Sequence, residues 1–263
     1  MEKIKNKKGC LYAFLIGCAI FIGGMIFLIV TVNNALKVFD LSVQEFQAQM
    51  KILNREVNES TLAPNPISAE NYQSFKDKAN AAGFSIFDDN GNVNLNSITI
   101  NINEPLTLTG DELGAMLNNG FSNGSEYSFL KVLKFNISSG SYTVINTVLK
   151  LDFTKVKEAI GQLGGDLPNS IYLTCESVAT GSTGSNLSSR LILTDSTLKI
   201  NELTDEENEK LIKLLNKMTE GKEGNLNFEN LSDKIISDSI TKVAQAANCY
   251  ITFSGSNITF TKF

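Results

Sequence analysis

LTLTGDELGAMLNN, residues 106–119, passes from strand to helix within four residues. Leu106 and Leu108 alternate with Thr107, the period of a half-buried strand. Thr109 then stands where an N-cap belongs and Glu112 follows three residues on, the pairing of a capping box, with Leu108 and Leu113 placed as its hydrophobic staple. The stretch predicts a short strand that hands directly to a helix. It is a unit of architecture, and no reaction is written into it.

The unit recurs loosely along the chain. LKINELTDEENEKLIKLLNKM (198–218) runs from strand through a second capping box, Thr204 and Glu207, into a helix, and NTVLKLDFTKVKEAIGQL (146–163) does so with Asp152 as the cap. Hairpin signals lie between these passages. DDNGN (88–92) carries the Asn-Gly pair of a tight turn, strands at about 127–137 and 142–152 flank SSGS, and the chain closes on CYITFSGSNITFTKF (249–263). Further strands are expected near 170–178 and 189–200, and helices at about 68–82, 153–164, 204–219 and 231–247. This mixture predicts an α+β class with one domain of curved antiparallel sheet and packed helices. Identity among the three passages is too low for a solenoid repeat.

The N-terminus fixes a second part of the organisation. No charged residue lies between Lys8 and Lys37, and LYAFLIGCAIFIGGMIFLIVTV (11–32) is almost wholly apolar, long enough for the roughly 20 residues that cross a bilayer. A cleaved signal has a shorter apolar core. The lipobox-like Leu15-Ile16-Gly17-Cys18 is followed by apolar residues where a mature lipoprotein turns polar. The reading is therefore a cytoplasmic tail at 1–10 and an uncleaved transmembrane helix at 11–32. Lys3, Lys5, Lys7 and Lys8 hold the N-terminus in the cytoplasm by the positive-inside rule, which places the C-terminal domain outside a cell membrane crossed once.

Leu36, Phe39, Val43, Phe46, Met50, Leu53 and Val57 follow at alternating spacings of three and four, a heptad seam. It predicts that the membrane helix continues into a juxtamembrane stalk helix over 33–60. The seam serves either a parallel homodimer or an amphipathic helix laid on its own ectodomain. TLAPNP, with Pro64 and Pro66, marks a linker at 61–66, and the domain proper is expected over 67–263.

Charge and composition exclude several functions. The whole chain carries −5, and because residues 1–32 hold four lysines and Glu2, residues 33–263 carry −8. Bulk charge of that sign fits no nucleic-acid partner. The chain has no histidine and no tryptophan, which removes imidazole catalysis and the common zinc sites. GFSNG (120–124) matches a nucleophile elbow at Ser122, yet a helix precedes the serine and no base is at hand. Asp88 and Asp89 lack the glycine that a calcium loop would want at Val93. Asp111, Glu112 and the run Asp205 to Glu207 suit helix N-termini. GSTGSN (181–186) has neither the lysine nor the helix of a phosphate loop. No catalytic residue, metal ligand or cofactor is assigned. Cys175 and Cys249 are read either as one disulfide or as free buried thiols.

Apolar surface remains. In YSFLKVLKFNI (127–137), strict alternation puts Phe129, Leu133, Phe135 and Ile137 on one face and Leu130 and Val132 on the other. Both faces need cover, supplied by an ordinary core or by a bound lipid or acyl chain.

The uncleaved span, the leading helix, PLTLTGDELGAMLNN (105–119), the extended DLPNSIYL (166–173) and the closing LSDKI with ITFSGSNITF (231–260) together resemble the YpmS-like membrane-anchored proteins of Gram-positive bacteria, and more distantly tubular lipid-binding (TULIP-type) domains. The resemblance implies a curved sheet wrapped on helices and a lipid-handling role. No functional residue carries over, because that family has no catalytic motif to match. Two readings follow. The first is a non-catalytic, membrane-anchored extracytoplasmic protein that binds a lipid or other apolar envelope ligand. The second is a stalked scaffold that docks a second copy through 36–57 or another envelope protein. A carboxylate-based envelope-polymer hydrolase is the third and least supported.

Overall fold

The expected capping box closes as the sequence requires. Thr109 Oγ1 accepts from Glu112 N at 3.2 Å, and Glu112 Oε2 accepts from Thr109 N at 2.8 Å. Leu108 and Leu113 are both fully buried. These contacts are those of a computed structural model, in which the described residues are 48, 51–95, 99–123, 128–152, 154, 168–182, 186–219 and 231–263. The expected tail at 1–10, the span at 11–32, and the seam positions Leu36, Phe39, Val43, Phe46 and Met50 lie outside them. Among the described residues no helix is long and apolar enough to cross a membrane.

The fold is mixed α+β with curved antiparallel sheets. In chain order the described elements are α1 (Glu59–Leu62), α2 (Ala69–Ala81), β1 (Leu106–Thr109), α3 (Gly110–Ser122), β2 (Leu130–Ser139), β3 (Thr143–Asp152), β4 (Ser170–Thr180), β5 (Ile192–Ile200), α4 (Asp205–Thr219), α5 (Leu231–Ala246), β6 (Cys249–Ser254) and β7 (Asn257–Lys262). The expected helix at 153–164 falls outside the described residues except Thr154, whose N–H donates to Asp152 Oδ1 at 2.8 Å. The Asn-Gly turn closes on a single bridge, Phe87 to Val93. Asp88 Oδ1 holds it by accepting from Asn90 N and Asn92 N.

The antiparallel strands expected from the sequence are divided between two sheets. One runs β2-β3-β4-β5, and the other β1-β7-β6. The second sheet pairs the opening strand with the last residues of the chain, Leu106 with Phe260 and Leu108 with Ile258. Such a long-range pairing has no local signature, which is why the sequence does not reveal it. α3 lies against β2 on one side and α2 on the other, and its Leu113, Met116, Leu117 and Phe121 are wholly buried.

The described chain forms two compact units. The larger comprises Val57–Leu151, Tyr172–Glu202 and Glu229–Phe263. Its N-terminal boundary corrects two expectations. The stalk helix does not reach residue 60: it ends at Leu53, a turn follows in which Arg55 N bonds Ile52 O at 3.1 Å, and Val57 lies off the helix. Asn58 breaks the pattern because its side chain accepts from Ser60 N and caps α1. The expected linker at 61–66 is likewise part of the folded body, with Ala63 buried beside Leu133 and Val148 and Ile67 N bonded to Leu133 O.

In the smaller unit Leu53 is buried by this chain itself, as are Leu203, Leu211 and Ile212. The Arg55 guanidinium forks onto the Glu207 carboxylate at 2.7 and 3.2 Å and holds its pKa down to about 2. Thr204 and Glu207 make the second expected capping box. The end of the seam therefore packs within its own chain.

Candidate functional site

The strand face nominated for an apolar ligand is rearranged by one residue. In β2 the register slips between Val132, opposite Leu149, and Lys134, opposite Val148. This is a β-bulge, and past it the alternation restarts in the opposite phase. Leu130, Val132, Phe135 and Ile137 consequently share a face with Leu151, Leu149, Thr147 and Ile145. Leu133 points the other way. The expected set of Phe129, Leu133, Phe135 and Ile137 is thus not one face, and Phe129 lies in the turn before the strand.

Both sides of the strand have cover from the protein. A Cβ on Gly114 of α3 would stand 3.3 Å from Phe135 Cβ and 3.4 Å from Val132 Cγ1, so the helix sits directly on that face. On the opposite face Leu133 and Val148 pack with Ala63, Leu62 and Tyr172. β2 is an edge strand, and part of its outward backbone is also satisfied. Asn118 Oδ1 accepts from Val132 N at 2.6 Å, its Nδ2 donates to Val132 O at 2.7 Å, and Ile67 N takes Leu133 O. An amide side chain here replaces a neighbouring strand, which guards the edge against pairing with another chain.

Lys131 and Lys150 face each other across β2 and β3, an arrangement of like charges that costs stability unless countered. Glu59 supplies the counter-charge. Its Oε2 accepts from Lys150 Nζ at 2.7 Å and from the Tyr172 hydroxyl at 3.0 Å, and its pKa is lowered, chiefly by Lys150. Lys150 also lies over the Tyr172 ring, 5.5 Å from its centroid. The triad fastens the segment before α2 onto the sheet.

Glu112 performs the same service for α2 and α3. Besides its part in the capping box it accepts from Ser74 Oγ at 2.5 Å and Lys78 Nζ at 2.7 Å, with only 6% of its side chain exposed. Burial alone would raise its pKa, but Lys78, Ser74 and the Thr109 N–H outweigh it and the value lies below that of an ordinary glutamate. A carboxyl lowered in the folded state stabilises above its unfolded pKa and loses that contribution as pH falls through its folded pKa. Acid titration of thermal stability is therefore expected to show a loss below about pH 4.5 that Glu112→Gln lacks.

Cysteine and carboxylate meet at a node that the sequence reading missed. Asp233, in the first turn of α5, is buried. Its Oδ1 accepts from Ser177 Oγ at 2.6 Å and from Cys175 Sγ at 3.2 Å, and its Oδ2 from Ser196 Oγ. The signal lay in the period-two placement of Cys175 and Ser177 on the buried phase of β4. Nothing tied that pair to a residue 58 positions away. Burial pushes the Asp233 pKa up and lifts the Cys175 thiol to about 11, a protonated and unreactive state. Cys249 is also free and buried, raised by burial to about 11. The disulfide alternative is thereby corrected: Cys175 belongs to the four-stranded sheet, whereas Cys249 opens β6 in the other.

Ser122 ends α3 and donates to Asn118 O at 2.8 Å, an ordinary back-bond within its own helix. Gly124 of the elbow-like motif is outside the described residues. Among the described residues no group of three or more Cys, Asp or Glu is placed to hold a metal. Compared with protein-family models, curated proteins and solved structures, the chain matches none.

Proposed function

We propose that this chain is a membrane-anchored extracytoplasmic protein that acts by docking a component of the cell envelope on its outer surface, without catalysis and without sheltering a lipid inside. The apolar segment at 11–32 and its four preceding lysines support the location. The observation that favours docking over lipid shelter is the closure of both faces of β2. Phe135 and Leu133, the residues nominated to line an acyl channel, are each fully buried by the protein's own side chains. A channel wide enough for an acyl chain would require α3 to leave Val132 and Phe135, a rearrangement that exposes Leu113, Met116 and Phe121 together.

The test has two arms. Protease added to intact cells is expected to degrade the C-terminal domain, and full-length protein exchanged extensively through detergent is expected to carry no stoichiometric lipid by native mass spectrometry. Protection of the C-terminus in intact cells would overturn the location. One tightly retained lipid per chain would restore the lipid-binding reading.

A further inference from the structure

A groove of about 220 Å³ lies beside the start of α2 and along α3. Apolar Ile67 and Ala115 line it together with Ser68, Tyr72, Asn118, Asn119 and Ser122. No carboxylate and no ammonium lines it. Tyr72 is its single ionisable group, and burial raises that pKa above the ordinary phenol value, so the lining is neutral across the physiological range. The nearest cation, Lys76, has its Nζ 5.1 Å from the centroid of the Tyr72 ring and is engaged with that residue in a cation–π contact.

The polar side chains are held in place by bonds to the backbone, and each retains capacity. Asn119 Oδ1 accepts from Val93 N at 2.7 Å, and its Nδ2 has no partner among the described residues. Tyr72 donates its hydroxyl hydrogen to Gly91 O at 3.2 Å, and Ser122 donates to Asn118 O. Both hydroxyl oxygens thus keep lone pairs, since a hydroxyl accepts as well as donates. Donors and acceptors at fixed positions beside the apolar Ile67 and Ala115 match a ligand whose groups do both and which has a C–H face. That is the chemistry of a sugar ring. An acetamido substituent adds a carbonyl for Asn119 Nδ2 and a methyl for Ile67 and Ala115. The volume falls below the roughly 300–1,000 Å³ of pockets for drug-sized ligands, which limits the occupant to one ring of a longer chain.

We propose that this groove binds one N-acetylated amino-sugar unit of a neutral glycan. The proposal rests on the docking reading above and gives it a ligand class. The test uses full-length protein in detergent micelles and saturation-transfer NMR, with the β-1,4-linked tetramer of N-acetylglucosamine as probe and glucose and tetraglycine as comparisons. Saturation is expected on the acetamido methyl groups. Asn119→Asp keeps the acceptor for Val93 and removes both donors, whereas Ser122→Leu fills the groove from an exposed position. Each is expected to weaken binding at least about tenfold with an unchanged melting temperature. No transfer at about 10 mM probe, equal binding by Ser122→Leu, or an equal response to tetraglycine would overturn the proposal. Retained lipid in the mass-spectrometry arm would instead remove the docking reading, so the two failures are told apart.

Discussion

Gly110→Ala is expected to abolish the cooperative unfolding transition of the larger unit, or to lower its midpoint far more than any exposed substitution. Alanine is ordinarily the better helix former by about 1 kcal/mol, and Gly110 opens α3, where that preference should help. Its surroundings decide otherwise. A Cβ at this position would lie 2.9 Å from the Phe135 carbonyl carbon and closer still to its oxygen. The obstacle is backbone, and it cannot swing away as a side chain could, because Phe135 is laddered to Thr147 in β3. Nor can the helix start retreat. Thr109 is held on one side by the Glu112 box and on the other by its pairing with Asn257 in β7. The expected net loss is roughly 3 kcal/mol or more, a large share of the 5–15 kcal/mol by which domains are stable. Urea midpoints followed by circular dichroism test it, with Gly140→Ala as the control, since a Cβ there meets nothing within 4 Å. Equal midpoints for both variants would mean that the close approach of α3 to β2 is wrong.

The local grammar of this fold was legible, and its assembly was not. Capping boxes at Thr109 and Thr204, the tight turn at Asp88 and the closing hairpin are all written within five or six consecutive residues, and each stands where the pattern puts it. The bulge at Leu133 is different. A run of apolar residues broken by Lys131 and Lys134 supports either phase of alternation, and only the partner strand β3 selects where the extra residue goes. One inserted residue then moved Leu133 to the opposite face and dissolved the candidate ligand surface. The same holds for Asn118, whose amide in mid-helix reads as a weak helix former until the edge of β2 is seen beside it. Polar residues that serve as rivets between distant elements share this property. Glu59, Asn118 and Asp233 carry no local sign of their partners and Glu112 shows only its cap, and each makes a contact that the chain reaches only when folded.

The second large effect is expected at Asp233, where alanine and asparagine should part company. Asp233→Ala removes the acceptor for Ser177, Ser196 and Cys175 together, and buried donors without acceptors cost about 1–3 kcal/mol each. Ser177 and Cys175 already lie 3.3 Å apart and can pair with one another, so the expected total is near 2–4 kcal/mol. Asp233→Asn keeps Oδ1 for Ser177 and offers its amide to Ser196, whose hydroxyl turns to accept. It should stay close to wild type near neutrality. Acidity then separates the two carboxylates. Burial raises the Asp233 pKa in the folded state, so folding favours its protonated form. Its contribution is fully present below the unfolded value of about 3.9 and is lost as pH rises through the folded value. Wild type should therefore gain on Asp233→Asn as pH falls, whereas over the same range it should lose ground to Glu112→Gln. Guanidinium or urea melts of the two variants between about pH 3 and pH 7 read both slopes. Parallel slopes would show that Asp233 is not buried against β4 and β5, and α5 would lose the polar contact that fixes it on the sheet.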